Sequence, residues 1–183
     1  RDSGSLAQIL RPPILFGHRD HTKRTSFYLT RARDGHGQIL VDSGLNDVQV
    51  VWIRVLSFAL TRYILNRTPH DASIIEALPP KTVTVRDIAQ ASASICAMPF
   101  RPLFASHERL QQDLADYVRI EPLWRERVMA TSSDNLFCLT ESKPADFVTS
   151  LRELSRNDQR SQEEGQRIGG ELSFIAANLR NGT

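Results

Sequence analysis

His18-Arg19-Asp20-His21 is the first run in the chain whose residue types could do chemistry. Two imidazoles and a carboxylate this close could share a metal ion. They would have to close around it in one tight loop, and no Cys/His companion stands at structural-zinc spacing. With Lys23 and Arg24 just beyond, the plainer reading is a basic, solvated arm that neutralises phosphates without reading sequence. His107-Glu108 carries half of a His-Glu-x-x-His zinc pattern, but Gln111 stands where the second His is required. Gly35-His36-Gly37 lacks the Gly-Lys-Ser/Thr of a phosphate loop and reads as turn glycine. Ser, His and Asp are all present without a Gly-x-Ser-x-Gly elbow. Cys96 falls among apolar neighbours in an expected helix, a setting that raises a thiol pKa and suits no nucleophile. No catalytic residue, metal or cofactor is assigned on these grounds.

The 183 residues, 40% hydrophobic, suffice for one large domain or a domain with an appended helical segment. Apolar stretches are interrupted by Arg, Asn or Ser and fall short of the roughly 20 residues a membrane helix needs. No charged-then-apolar leader is visible at the start. Cys96 and Cys138 read as reduced, buried thiols, with a disulfide between them left open. Two cysteines make no disulfide scaffold, so the expected location is cytoplasmic. The net charge of +2 is uneven: residues 1–40 hold seven Lys/Arg against three Asp/Glu, and residues 131–183 hold six against eight. A basic front is compatible with nucleic-acid contact, although an ordinary solvated surface explains it too.

Three regions should position these groups. Residues 1–45 read as an extended arm, where Pro12-Pro13 forbids helix, followed by a β-hairpin. Its strands are Thr25 to Arg33, with Phe27, Tyr28 and Leu29, and Gln38 to Asp42, joined by an Asp34-Gly35 turn. Residues 46–156 read as a helical core. A long helix at 46–66 carries Val48, Val51, Trp52, Val55, Leu56, Ala59, Leu60 and Tyr63 at helical spacing. A short helix at 72–78 stops at Pro79-Pro80. Thr84-Val85-Arg86-Asp87 fits a capping box that opens a helix to about Ala97. Further helices are expected at 102–118 and, capped by Ser142, from 143, with a second hairpin at 125–140 turning at Ser132 to Asn135. Residues 157–183 read as a polar linker and a last amphipathic helix built on Leu172, Ile175, Ala176 and Leu179. The resulting fold class is mainly α with two β-hairpins.

The order of helix, Met98-Pro99 break, helix, hairpin and helix over residues 72–154 resembles the winged helix-turn-helix of MarR-like bacterial regulators. Thr82 to Ala89 looks like the family's entry to its second helix, and Leu136 to Glu141 like its last wing strand. The departures are Pro99 and Pro102 crowding the would-be recognition helix, its Glu108, Asp113 and Asp116, and the missing Gly after the wing. The resemblance implies a winged-helix-like C-terminal half and a non-enzymatic, homodimeric, DNA-binding transcriptional regulator, paired through helix 46–66. Arg101, Ser106, His107 and Arg109 would then meet base edges in duplex DNA, and Arg125 and Arg127 would flank the wing. The alternative is a protein-interaction or assembly domain, such as an effector or a viral or phage structural protein. A third reading is an enzyme with an unfamiliar site at the His18/His21 arm.

Overall fold

The computed structural model describes residues 8–18, 20–35, 38–66, 74–108, 135–143 and 146–157. Pro12 and Pro13 separate two short strands, β1 (Ile9–Arg11) and β2 (Ile14–Phe16). There follow α1 (Ser26–Arg33), β3 (Gln38–Val41), β4 (Asp47–Val48), β5 (Val50–Trp52) and α2 (Ile53–Leu65). Beyond these come β6 (Ile74–Glu76), β7 (Val83–Thr84), α3 (Val85–Ile95), β8 (Pro102–Ala105), α4 (Leu136–Leu139) and α5 (Phe147–Asn157). β1 pairs with β6, β2 with β5 and β3 with β8, all parallel. Among the described residues, only β4 and β7 run antiparallel. Parallel partners cannot be joined by a tight turn, so each pair is closed by a long crossover carrying helices. This is an α/β arrangement, not a mainly α fold with two hairpins.

The first expected hairpin does not form, although its second strand is present as β3. Phe27, Tyr28 and Leu29 lie in α1, and β3 pairs with the distant β8. Strand propensity lost to burial on both sides, since α1 packs against α3 and α5 and even Arg31 is enclosed, its guanidinium 4.9 Å from the Phe27 ring centre. Asp34-Gly35 is the end of that helix. Gly35 takes φ +71° and its N–H donates to the Ala32 carbonyl, a left-handed helix stop that glycine adopts without strain. The long helix begins at Ile53 instead of 46, because Val48, Val50, Val51 and Trp52 are buried in strands. Continuous apolar residues suit a strand covered on both faces as well as they suit a helix.

The C-terminal half departs further from a winged helix. Residues 74–76 are strand, not helix, and so are residues 102–105, where the recognition helix was expected. Leu136–Leu139, read as a wing strand, is the short helix α4. The rest of the second hairpin and of helix 102–118 lies outside the described residues. α3 forms as expected: the Asp87 N–H donates to Thr84 Oγ1 at 3.0 Å and the Thr84 N–H to Asp87 Oδ2 at 2.9 Å. α5 is capped by Asp146 in place of Ser142, its carboxylate accepting from the Thr149 N–H at 3.1 Å.

Two cores result. In the larger, α1, α3 and α5 bury Tyr28, Ile88 and Leu151 against Phe16, Leu40 and Trp52 from the strands. In the smaller, Leu56 and Ala59 of α2 pack with Ile75, Leu136 and Phe137. Gly17 joins the two. It sits at φ +156° between β2 and α2, and a methyl group there would overlap Ile53 Cγ2. Among the described residues, no helix is long and apolar enough to cross a membrane.

Candidate functional site

A cavity of about 230 Å³ opens where the two cores meet. β2 supplies Phe16, β5 supplies Val50 to Trp52, and the first turn of α2 supplies Val55. The Pro79-Pro80-Lys81-Thr82 loop forms one rim and the start of α5, with Asp146, Phe147 and Ser150, forms the other. The two prolines fix φ along the loop and keep it out of helix, so Lys81 is carried on a stiff turn. Thr82 Oγ1 ties that loop to β4 by donating to Asp47 Oδ1 at 3.1 Å.

The wall is aromatic. The Phe16 ring lies 5.2 Å from Trp52 at 63° and 5.5 Å from Phe147 at 54°. Such edge-to-face packing fixes ring orientation and leaves apolar faces beside the opening. Lys81 and Asp146 are exposed at the rim. The cavity therefore combines an apolar, aromatic wall with one cation and one carboxylate. Its volume falls below the roughly 300–1,000 Å³ of sites that enclose a drug-sized ligand, so it can take one ring and leaves the rest of a larger molecule across the rim.

Among the described residues assigned from sequence, Arg101, Ser106 and His107, none lines this cavity. Arg101 is exposed just before β8, and Ser106 and His107 follow that strand. The His107 N–H donates to Asp42 Oδ1 at 3.2 Å, which holds the chain close to a carboxylate. Arg109, Arg125 and Arg127 lie outside the described residues. Asp20 accepts from the Thr22 N–H at 2.9 Å and from its hydroxyl at 2.6 Å, closing a local turn. Among the described residues no three His, Cys, Asp or Glu side chains gather as metal ligands.

Cys96 and Cys138 are both free thiols. Cys138 is exposed, against the expectation of burial, because α4 turns it outward. Cys96 is half-buried at the end of α3, and its Sγ lies 3.7 Å from the Leu29 carbonyl oxygen as a weak donor. Burial pushes this thiol above its ordinary value of 9.0, and Asp34 adds to the rise. Arg33 opposes it by charge and hydrogen bonding. That direction agrees with the expectation from sequence.

Sequence reasoning missed the cavity for a specific reason. The helical spacing over 46–66 takes Trp52 as a core position of a helix, and Lys81 stands in no motif. The available signal was Pro-Pro-Lys-Thr immediately before a capping box, a rigid loop feeding a helix.

No protein-family model matches the chain, and no curated protein matches its sequence. Solved structures do match. The UDP-glucose 4-epimerase of Thermotoga maritima, solved with UDP-glucose, superposes with a TM-score of 0.60 at 11% identity, over 84% of this chain and 46% of its own. The UDP-glucuronic acid 4-epimerase of Bacillus cereus, solved with UDP-glucuronic acid and NAD, gives 0.56 at 12%, over 86% and 45%. The UDP-N-acetylglucosamine 4-epimerase of Methanobrevibacter ruminantium, solved with UDP-N-acetylmuramic acid, gives 0.58 at 14%, over 80% and 44%. The chain thus spans less than half the length of these proteins. Identities this low carry the fold and nothing more: a Rossmann-like α/β segment. The match overturns the winged-helix resemblance and with it the DNA-binding regulator, and it lends no support to the assembly-domain alternative.

Proposed function

We propose that this chain handles a nucleoside diphosphate sugar, as the part of an epimerase-like α/β protein that grips one end of that molecule. The observation that supports the reading most is the likeness of its parallel-strand architecture to several UDP-sugar 4-epimerases. The cavity is chemically suited to the role. A uracil ring or the apolar face of a hexose fits against Trp52 and Phe147. Lys81 is available to a phosphate oxygen as a charge-assisted donor, and Asp146 accepts from a sugar hydroxyl.

The residues do not fit NAD. Binding of its pyrophosphate on this kind of fold uses Gly-x-Gly-x-x-Gly between a strand and a helix. The chain has no such run, and its single Gly-x-Gly, at 35 and 37, lies between α1 and β3. No step involving that cofactor is assigned to these residues.

Calorimetry with UDP-glucose, UDP-N-acetylglucosamine and UDP-glucuronic acid tests the reading. At least one should bind the purified chain. Lys81→Ala should weaken that ligand about tenfold, roughly 1.4 kcal/mol, as expected for one charge-assisted hydrogen bond. Absence of binding by all three at millimolar concentration, or binding indifferent to both Lys81→Ala and Trp52→Leu, would remove this function from the cavity.

A further inference from the structure

The run His18 to His21 falls in the turn between β2 and α1, and none of its described residues lines the cavity. Among the described residues, this turn is the one connection in which a strand passes through a glycine and a loop into a helix. On a parallel α/β fold such a turn is where a dinucleotide sets its pyrophosphate, against backbone N–H groups at the start of the helix. Three glycines shape it there: one for the tight turn, one for the approach of the pyrophosphate, one for packing of helix on strand. Counted from Gly17, the second and third would stand at 19 and 22, where this chain has Arg19 and Thr22. The helix opens late as well, at Ser26.

Gly17 itself serves another purpose. A methyl group there would overlap Ile53 Cγ2, so the missing side chain makes room for α2 and not for a phosphate. The donors of the turn are already engaged. The Asp20 N–H donates to the Gly17 carbonyl and the Lys23 N–H to the Asp20 carbonyl, both at 3.2 Å. Asp20 Oδ1 accepts from the Thr22 N–H at 2.9 Å and from the Thr22 hydroxyl at 2.6 Å. In the first turn of α1 the N–H groups of Phe27 and Tyr28 donate to the Lys23 and Thr25 carbonyls. Lys23 and Arg24, the cations at this end of α1, have partners of their own.

We propose that the β2–α1 turn is closed to dinucleotides from within: the Asp20 carboxylate stands on the Thr22 amide in the place of a phosphate oxygen. A pyrophosphate could enter only by displacing that carboxylate from both of its Thr22 donors, and it would bring like charge against it. The closure uses neither the cavity nor its ligand, so it stands apart from the sugar-nucleotide reading.

Hydrogen exchange of the full chain, followed by mass spectrometry, tests the closure at the turn itself. Millimolar NADH should leave exchange across residues 17–28 unchanged. Slower exchange there overturns the proposal. The sugar-nucleotide reading succeeds or fails separately in the same measurement, because a UDP-sugar in the cavity slows exchange across residues 79–82 instead. In Asp20→Ala the Thr22 amide loses its acceptor, and exchange across the turn should quicken about tenfold, with α3 unaffected as the sign of an intact fold. An unchanged rate in that variant also overturns the proposal, since some other group would then hold the turn shut.

Discussion

α2 and α3 are of similar length, thirteen and eleven residues, yet they are finished in opposite ways. α3 closes its own start with the Thr84/Asp87 capping box, and its outer face carries Arg86, Asp87 and Gln90 to solvent. At its far end the Met98 N–H reaches the Ala93 carbonyl at 2.9 Å and the Ala97 N–H the Ser94 carbonyl at 3.2 Å. α2 has no side-chain cap at its start: Trp52, its N-cap residue, is strand β5 running directly into helix. What fixes that start is the close approach of Gly17, and its outer face leaves apolar residues bare. A helix whose order comes from its own sequence can therefore be read locally. One whose order comes from a neighbouring backbone cannot.

The largest effect should come from that neighbouring backbone. Gly17→Ala puts a methyl group into Ile53 at a φ that other residues rarely adopt, so β2 and the first turn of α2 must separate. A cost of about 2–3 kcal/mol is expected, because steric overlap adds to backbone strain. A drop in the urea midpoint with an unchanged slope would show it. If the midpoint does not move, the contrast between the two helices has been drawn too strongly. Thr84→Ala should cost less, about 1 kcal/mol, as for the loss of one N-cap hydroxyl. It should also raise hydrogen exchange in the first turn of α3 without altering α2.

The same contrast explains what could be read from the sequence. α3 was legible because Thr84-x-x-Asp87 is a complete local instruction. The strands were not. β1, β2 and β6 are three residues each, and their partners lie tens of positions away. A parallel pair has no turn to announce it, and its buried strands lack the polar alternation that separates strand from helix. Asp34-Gly35 misled because a helix stop and a hairpin turn both call for glycine at positive φ. The cavity was hidden for a related reason. Its wall comes from β2, β5 and α5, brought together only by pairings that the sequence does not mark.

Helix ends offer the next prediction, a gain in stability. α1 ends on Gly35, but α3 and α4 place Ala97 and Glu141 in the same left-handed position, at φ 54° and 49°. In α4 the Glu141 N–H donates to the Cys138 carbonyl and the Ser142 N–H to that of Phe137, repeating the pattern of α3. Glycine avoids the clash that a Cβ suffers there, and part of the gain is lost to its freedom in the unfolded chain. Ala97→Gly and Glu141→Gly should each stabilise by about 0.5–1 kcal/mol. Denaturant curves of the two single variants and the pair would check both, with near-additive gains expected for separate helix ends.

The smallest effect is electrostatic and sits at the same end of α3. Cys96 is the residue that follows its last turn, and burial raises its thiol above the ordinary 9.0. Below about pH 9 the thiol is protonated in both the folded and unfolded chains, so it adds no pH dependence. Above that the unfolded chain loses its proton first. Stability must then fall as pH rises, until the folded thiol ionises as well. Cys96→Ala should flatten the decline in urea midpoint between pH 8 and pH 10, whereas Cys138→Ala, at an exposed position, should leave it in place. A decline that survives Cys96→Ala would mean that other groups carry it, and that the end of α3 tolerates charge as readily as the open face of α2 tolerates apolar side chains.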